Sequence, residues 1–289
     1  MLGQQLANGF STGLVYGLLA LGFSLAYSTT RVVNFAHGEL FAFGALLGIW
    51  LQRDGELGLL PASLLSSMVV ILAASAFAYL VLWRLRSPLQ RSVATIAVSL
   101  GLRDAMLLIF GSDSASFPQT RVTGTVDVFG IIVSRYSVTL IVWTVALLIA
   151  FWLILARSRL GIWMRATAQD PELAATSGIK IRNVEAGAFA LSALAAAAAG
   201  LLIGPSWQVS YSSGSIVGVK AFTAAMLGGF GRLGGAVVGG ILLGVTETIF
   251  AGYVSSAWKD LAVFLLLLAT LIFFPRGLMA TRAGRVGAG

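Results

Sequence analysis

The stretch RVVNFAHGELFAFGALLG, residues 31–48, places the only histidine of the chain two residues before a glutamate. Long apolar runs stand on both sides of it, and a helix needs about 20 apolar residues to cross the hydrocarbon core of a bilayer. Asn34, His37 and Glu39 therefore fall at the mouth of a membrane or inside one, where polar side chains are costly unless they have partners or water.

The rest of the chain has the composition of an integral membrane protein. Of its 289 residues, 58% are hydrophobic and only 10% are charged, and the mean hydropathy is +0.92. A soluble domain has nearer a quarter charged residues. The apolar runs do not alternate in polarity as barrel strands do. We therefore predict an all-α, polytopic helical membrane protein that forms a single membrane domain over residues 1–289.

Nine stretches have the apolar character of membrane spans, although one of them is too short for an ordinary crossing. We therefore expect eight or nine spans, including a short or broken helix at 216–229. The predicted spans are residues 6–27, 33–51, 62–83, 93–111, 137–156, 184–204, 216–229, 234–252 and 257–274.

The basic residues are distributed unequally between the two sides of these spans. If all nine cross, the loops of one side hold most of the 19 Lys and Arg residues: Arg31, Arg84, Arg86, Arg91, Arg157, Arg159, Arg165, Lys180, Arg182, Arg232, Arg276, Arg282 and Arg285. The opposite loops hold Arg53, Arg121, Arg135, Lys220 and Lys259. The positive-inside rule then predicts a cytoplasmic C-terminus and an N-terminus outside.

Two extramembrane segments are long enough to have structure of their own, residues 112–136 outside and 157–183 inside. We expect the outer one to be an irregular loop with a small hairpin in RVTGTVDVFGIIV. In the inner one, RLGIWMRATAQDPELAATSGIKIRNV, Asp170 can cap a helix that starts at Pro171, Glu172 favours its first turn, and Gly178 can end it. This pattern predicts a short helix over residues 171–177.

The inner segment has two interpretations. It is either a solvated linker with one turn of helix, or a docking element for another protein. A helix of two turns is marginal in water unless it packs against something. In the second interpretation Leu173 and Ile179 supply apolar contact and the flanking arginines, among them Arg165, supply charge.

Three separated blocks of the chain resemble the branched-chain amino acid permeases of ABC importers, the LivH family. The blocks are GLVYGLLALGFSLAYSTTRVVNFAHGELFAFGA, the pattern GIWMRATAQDPELAATSGI, and VKAFTAAMLGGFGRLGGAVVGGILLGVTETIFAGY followed by SSAWKDLAVFLLLLATLIFFPRGL. They cover most of the chain in the order that is typical of the family. The resemblance implies an ABC importer permease fold.

The resemblance also implies a function and a set of partners. The chain would be the membrane-spanning subunit that forms the translocation pathway for branched-chain or related small amino acids, in a bacterial plasma membrane and without a nucleic acid partner. Its partners would be a second, LivM-like permease subunit in a heterodimer, two cytoplasmic ATPase subunits, and a periplasmic or extracellular substrate-binding protein. Segment 157–183 would couple the chain to the ATPases through Arg165, Asp170, Pro171, Glu172, Leu173 and Gly178.

The sequence itself lacks the parts that ATP hydrolysis requires. It contains no GxxxxGK[ST] phosphate-binding loop, so it cannot hydrolyse ATP by that route. It also contains no cysteine and only one histidine, so a metal site is not expected. We therefore expect a transport subunit that is not an enzyme, with no cofactor of its own and with ATP and Mg²⁺ on the partner subunits.

Six polar residues in or beside the spans are candidates for the substrate pathway or its gate: Asn34, His37, Glu39, Arg103, Asp104 and Glu247. A carboxylate at the centre of a membrane helix costs about 2.5 to 3.5 kcal/mol, so we expect Glu39 and Glu247 to face a cavity or a partner. The first three residues could instead form a hydrogen-bonded cluster that holds the start of a helix. Arg103 and Asp104 are adjacent and so point to different helix faces.

Two alternatives for the function remain open at this stage. The same type of importer could carry urea and short amides, or aromatic acids. An ion-coupled secondary transporter would use Glu39, Glu247 and Asp104 as proton or sodium sites. The glycines of GGFGRLGGAVVGGILLG, with small residues four apart, favour close helix packing over substrate contact.

Overall fold

Nine apolar helices stand at the positions of the nine predicted spans. The computed structural model describes residues 2–85, 87–117, 124–128, 131–274 and 277–279. Within these ranges the spans are α1 (Leu2–Thr30), α2 (His37–Arg53), α3 (Leu59–Leu80), α4 (Pro88–Phe110), α5 (Arg135–Arg157), α8 (Ile181–Ile203), α9 (Ser213–Gly228), α10 (Leu233–Tyr253) and α11 (Lys259–Phe273). The prediction of a polytopic helical membrane protein is confirmed.

The nine helices differ in length. Six are long and apolar enough to cross a bilayer, whereas α2, α9 and α11 have 17, 16 and 15 residues. Between α5 and α8 the chain forms two shorter helices, α6 (Arg159–Gln169) and α7 (Pro171–Thr176). We call the end of the bundle that carries them the α6–α7 end.

Helix α1 is the centre of the bundle and is buried along most of its length. It packs against α10 through glycines, because Gly13 and Gly17 of α1 lie directly against Gly244 and Gly240 of α10. A methyl group at Gly240 would overlap the backbone of Gly17. The structure therefore gives these glycines the packing role that the sequence favours.

Helices α3, α4, α5 and α11 form the periphery and expose large apolar side chains, such as Leu100 and Leu108 of α4 and Leu268 of α11. In a membrane such a surface contacts lipid or the helices of another subunit, since both are apolar environments. The polar side chains that matter for function therefore have to be sought inside the bundle.

Helices α2 and α9 begin in the interior of the bundle. His37, the first residue of α2, contacts Leu19 and Ser192. Each of these lies about 16 Å from the end of its helix at the α6–α7 end, at a rise of roughly 1.5 Å per residue. The first turn of α9 packs against the first turn of α2, with Gly214 next to Gly38. The interior starts explain why both helices are short.

The opposite end of the bundle carries the outer segment. Strands β1 (Thr125–Val128) and β2 (Ile131–Ser134) form an antiparallel hairpin, as predicted. Residue Ala115 pairs with Val209 through two backbone hydrogen bonds of 2.8 Å. The outer segment is thus tied to the non-helical connection that leads into α9. We call this end of the bundle the hairpin end.

One of the basic residues assigned to a loop is not in a loop. Lys220 lies within α9 and is only 4% exposed. It therefore does not count among the basic residues of the outer loops. This correction increases the charge asymmetry on which the predicted orientation rests. Arg86, Arg121, Arg276, Arg282 and Arg285 fall outside the described residues.

Candidate functional site

The segment between α1 and α2 is non-helical, but its polar groups have partners. The Asn34 side-chain Oδ1 accepts a hydrogen bond from the Ala36 amide at 3.2 Å, and its carbonyl accepts one from the His37 amide at 3.1 Å. The Phe35 amide donates to the hydroxyl of Thr95 in α4 at 3.0 Å. Asn34 therefore shapes the turn from which α2 starts.

His37 is fully buried and has a partner on each ring nitrogen. Its Nε2 lies 3.0 Å from the Leu19 carbonyl oxygen, which can only accept, so Nε2 carries the proton. Its Nδ1 then accepts from the Ser192 hydroxyl at 3.1 Å. The ring of Phe23 packs edge-on at 5.0 Å. The neutral imidazole thus joins α1, α2 and α8, and these contacts fit the interpretation of a hydrogen-bonded cluster at a helix start.

Glu39 is the third residue of α2, and its environment differs from that of His37. Its Oε1 accepts a hydrogen bond of 2.8 Å from the Ser215 hydroxyl in the first turn of α9, whereas its Oε2 is buried and has no partner among the described residues. Glu39 is the one charged residue that lines a cavity of about 380 Å³. The other lining residues are Phe23, Phe35, Ile96, Ser99, Gly214, Ser215, Gly218, Val219, Phe222 and Leu267.

Arg103 and Asp104 of α4 point to different surroundings. Arg103 is half-buried, with its guanidinium carbon 5.7 Å from the centre of the ring of Tyr211, which lies two residues before α9 and thus near Ser215, the partner of Glu39. Asp104 is exposed on the outside of α4. The structure therefore brings Arg103 to the neighbourhood of Glu39 but leaves Asp104 outside it.

Glu247 belongs to a separate cluster nearer the hairpin end. Its Oε1 lies 2.7 Å from Nζ of Lys220, which lies equally close to Oδ1 of Asp260 at the start of α11. The rings of Tyr16 and Trp207 lie 5.8 and 6.0 Å from the same Nζ. Sequence analysis missed Lys220, although a lysine inside an apolar run was itself a signal of a buried partner.

The short helix of the inner segment forms as predicted. Asp170 Oδ1 accepts from the amides of Glu172 and Leu173 at 2.9 and 3.0 Å, Pro171 is the first helical residue, and Gly178 adopts a φ of +85° after the end. Leu173 is 65% exposed. The helix thus presents an uncovered apolar side chain at a fixed position.

Ile179 does not belong to that exposed surface. It packs against the buried cluster formed by Leu25, Leu155, Met164, Val184 and Ala188, which joins α6 to α1, α5 and α8. Ile179 is half-buried, so part of its side chain is used within its own chain, and the expectation that it contacts another protein stays a prediction.

Two arginines connect the inner segment to the spans. Arg165 of α6 donates a hydrogen bond to the carbonyl of Leu155 near the end of α5, so it lies against the bundle and not beside α7. Arg31, the residue that follows α1, donates from Nη2 to the Ala168 carbonyl of α6 at 3.2 Å. The inner segment is thus attached to α1 and α5 by polar contacts as well as by the buried cluster.

Aromatic rings fill the space between the Glu39 cavity and the α6–α7 end. The ring of Phe222 lies 5.8 Å from Phe23 and 5.4 Å from Phe230, and Phe230 lies 4.3 Å from Tyr27. We call these four residues the aromatic cluster. Two of them, Phe23 and Phe222, also line the cavity.

Comparison with known proteins identifies the family to which the chain is similar. The family model described as "Branched-chain amino acid transport system / permease component" matches residues 5–271. The chain is 33% identical to the high-affinity branched-chain amino acid transport system permease protein BraD of Pseudomonas aeruginosa, over 96% of this chain and 95% of that protein. It is 30% identical to the corresponding protein LivH of Escherichia coli (strain K12), over 96% and 94%. It is also similar to the solved structure of PsaBC from Streptococcus pneumoniae in complex with Fab, with TM-score 0.49 and 14% identity over 93% of this chain and 91% of that one.

Proposed function

The chain belongs to the family of branched-chain amino acid transport system permease components, and we propose that it forms, around Glu39, the membrane pathway of an ATP-driven importer for branched-chain or related small amino acids. As a multi-pass permease of this family it is a transport subunit of the bacterial inner membrane. The observation that carries the assignment of the pathway is the buried carboxylate of Glu39, which faces a cavity between the interior starts of α2 and α9.

The position of this cavity is typical of a transport site. Substrate sites in transporters lie near the middle of the membrane, where helices are interrupted and their ends face a cavity. Here two helices start in the interior and leave Glu39 with one free oxygen. The aromatic cluster fills the route from the cavity to the α6–α7 end, so opening toward that side requires its rings to separate.

The energy source is proposed to be a pair of separate ATPase subunits that carry ATP and Mg²⁺. The chain has no phosphate-binding loop of its own. In the proposed complex one ATPase subunit binds the exposed side of α7, where Leu173 supplies the apolar contact. Asp170, Pro171, Glu172 and Gly178 hold the helix in shape, and Arg165 anchors the segment to α5.

The remaining partners follow from the same assignment. A substrate-binding protein delivers the amino acid at the hairpin end, and a second, LivM-like permease subunit completes the pathway. Phe35 and Ile96, which line the cavity, are exposed, so the cavity opens at the surface of the bundle. We propose that the second permease covers this opening. The basic residues of the loops support an orientation with the α6–α7 end and the C-terminus in the cytoplasm and the N-terminus outside.

The ion-coupled alternative has less support. It requires Glu39, Glu247 and Asp104 to act as ion sites, but Glu247 is already paired with Lys220 and Asp104 lies on the outer surface of α4.

The proposal is tested by reconstituting the chain with its second permease and ATPase subunits in proteoliposomes. Uptake of radiolabelled leucine is expected only with both ATP and the loaded substrate-binding protein. Omitting either component is the control. If the purified chain alone accumulates leucine when only an ion gradient is imposed, the ATP-driven assignment is wrong.

A further inference from the structure

Glu39 and Arg103 carry opposite charges and lie near each other, but they do not form an ion pair. Both lie beside the start of α9, where Glu39 accepts a hydrogen bond from Ser215 and the guanidinium carbon of Arg103 lies 5.7 Å from the centre of the Tyr211 ring. The ion pairs of the described residues are made by other side chains, namely Arg91 with Glu185 and Lys220 with Glu247 and Asp260. In a low-dielectric interior two such charges attract strongly, so the gap between them is a feature that requires an explanation.

A cavity of about 380 Å³, large enough for a small molecule, lies beside Glu39. Gly214 leaves room for the Glu39 carboxylate itself, because a methyl group at that position would overlap it. Ser99 lines the cavity, and Arg103, which is not itself a lining residue, follows it by one turn on the same face of α4 toward the hairpin end. Phe23 and Phe222 supply apolar walls on the other side.

We propose that Glu39 and Arg103 together bind the charged backbone of the amino acid in transit, with the ammonium group at Oε2 of Glu39 and the carboxylate at the guanidinium of Arg103. The apolar side chain then contacts Phe23 and Phe222. This inference deepens the proposed function, on which it rests, by placing recognition of the zwitterion within the permease.

The site favours a zwitterion over ligands with a single charge, which gain only one of the two charge-assisted contacts. A simple cation is attracted by Glu39 but repelled by Arg103. A simple anion is attracted by Arg103 but repelled by Glu39. A zwitterion satisfies both, and it also supplies the missing partner of the buried Oε2.

The test measures binding to the assembled importer in nanodiscs, without nucleotide and without the substrate-binding protein, so that the permease alone is responsible for selectivity. Radiolabelled leucine is the probe. The competitors are 3-methylbutylamine, which has only the ammonium group, 4-methylpentanoate, which has only the carboxylate, and 4-methylpentanamide, which is uncharged. Leucine is expected to compete at least about tenfold better than any of the three, because each lacks one or both charge-assisted contacts.

Two variants separate the two contacts. Glu39→Gln keeps the shape of the side chain. In this variant 3-methylbutylamine should compete with leucine no better than 4-methylpentanamide, whereas 4-methylpentanoate should still compete better than the amide. In Arg103→Gln the amine should compete better than the amide and the acid should not. Each variant is expected to weaken leucine binding about tenfold or more. Arg135→Gln, which removes the same charge from an exposed position at the start of α5, is the matched control and should bind leucine as the unmodified importer does.

Several outcomes overturn the proposal. It is wrong if the amide competes as well as leucine, if leucine does not bind at all, or if Glu39→Gln and Arg103→Gln affect the amine and the acid alike. The comparison of competitors on the unmodified importer decides the question even if a variant fails to assemble. Leucine uptake by the complete importer tests the proposed function separately, since uptake can succeed while the competition pattern contradicts zwitterion binding.

Discussion

Nζ of Lys220 lies 2.7 Å from Oε1 of Glu247, and both side chains are buried between α9 and α10. Lys220 also reaches Asp260 on α11, so a single ammonium group connects three helices. A buried charge is stable only while its partner is present. Substitutions of the three residues should therefore lower the free energy of unfolding by different amounts.

Lys220→Met should be the most damaging change in this cluster. It leaves Glu247 buried without a counter-charge and is expected to lower the free energy of unfolding by about 3 to 5 kcal/mol. Glu247→Gln should cost less because Lys220 keeps Asp260, and Asp260→Asn least because the Asp260 side chain is 42% exposed. Thermal unfolding of the purified complex measures this order. An unchanged midpoint for Lys220→Met would contradict the role assigned to the pair.

Gly240→Ala should separate α1 from α10. The added methyl group overlaps the backbone of Gly17, so neither helix can yield without moving as a whole, and a loss of about 1 to 3 kcal/mol or more is expected. Gly101→Ala in α4 is the matched control, because nothing lies within 4 Å of the added methyl group there. The control should be neutral or slightly stabilising. Equal effects of the two variants on thermal unfolding would rule out the packing argument.

Asp170→Ala should loosen α7. The loss of the two hydrogen bonds from Asp170 to the helix start is expected to cost about 0.5 to 2 kcal/mol. Hydrogen exchange of residues 171–176 should accelerate and the affinity for the ATPase subunits should fall. Asp170→Asn is the control, since asparagine caps helices as well as aspartate does. If both variants bind the ATPases equally, the cap does not matter for docking.

Leu173→Ala should affect association without affecting the fold. The side chain is exposed, so thermal unfolding should stay within about 0.5 kcal/mol of the unmodified protein. Co-purification of the ATPase subunits and coupled uptake should both decrease, because the proposed apolar contact is lost. Unchanged co-purification would count against α7 as the docking helix.

His37 and Glu39 should respond differently to substitution. His37→Ala removes two buried hydrogen bonds, those to the Leu19 carbonyl and the Ser192 hydroxyl, each worth about 0.5 to 1.5 kcal/mol, so the yield of assembled complex should fall. Glu39→Gln should leave assembly intact but reduce uptake. Size-exclusion profiles and uptake rates of the two variants provide the measurement. The reverse pattern would make His37 the pathway residue and Glu39 the structural one.

Local features of this chain could be predicted because neighbouring residues determine them. The spans follow from apolar runs, and the capped helix α7 follows from Asp170, Pro171 and Gly178. The pairing of Lys220 with Glu247 and Asp260 could not be predicted, since it depends on how three helices pack. The same is true of the approach of Arg103 to Glu39, which lie on α4 and α2. The inward orientation of Ile179 is likewise a result of tertiary packing.

Because Arg31 donates a hydrogen bond to Ala168 of α6, a movement of the nucleotide-hydrolysing partners has only a short path to the middle of the bilayer. Arg31 directly follows α1, and the non-helical segment that it begins leads to His37 and Glu39. A displacement of α6 and α7 by the ATPases would pull on this segment at its first residue. The displacement would then reach the substrate through the six non-helical residues 31–36 instead of through the length of a transmembrane helix.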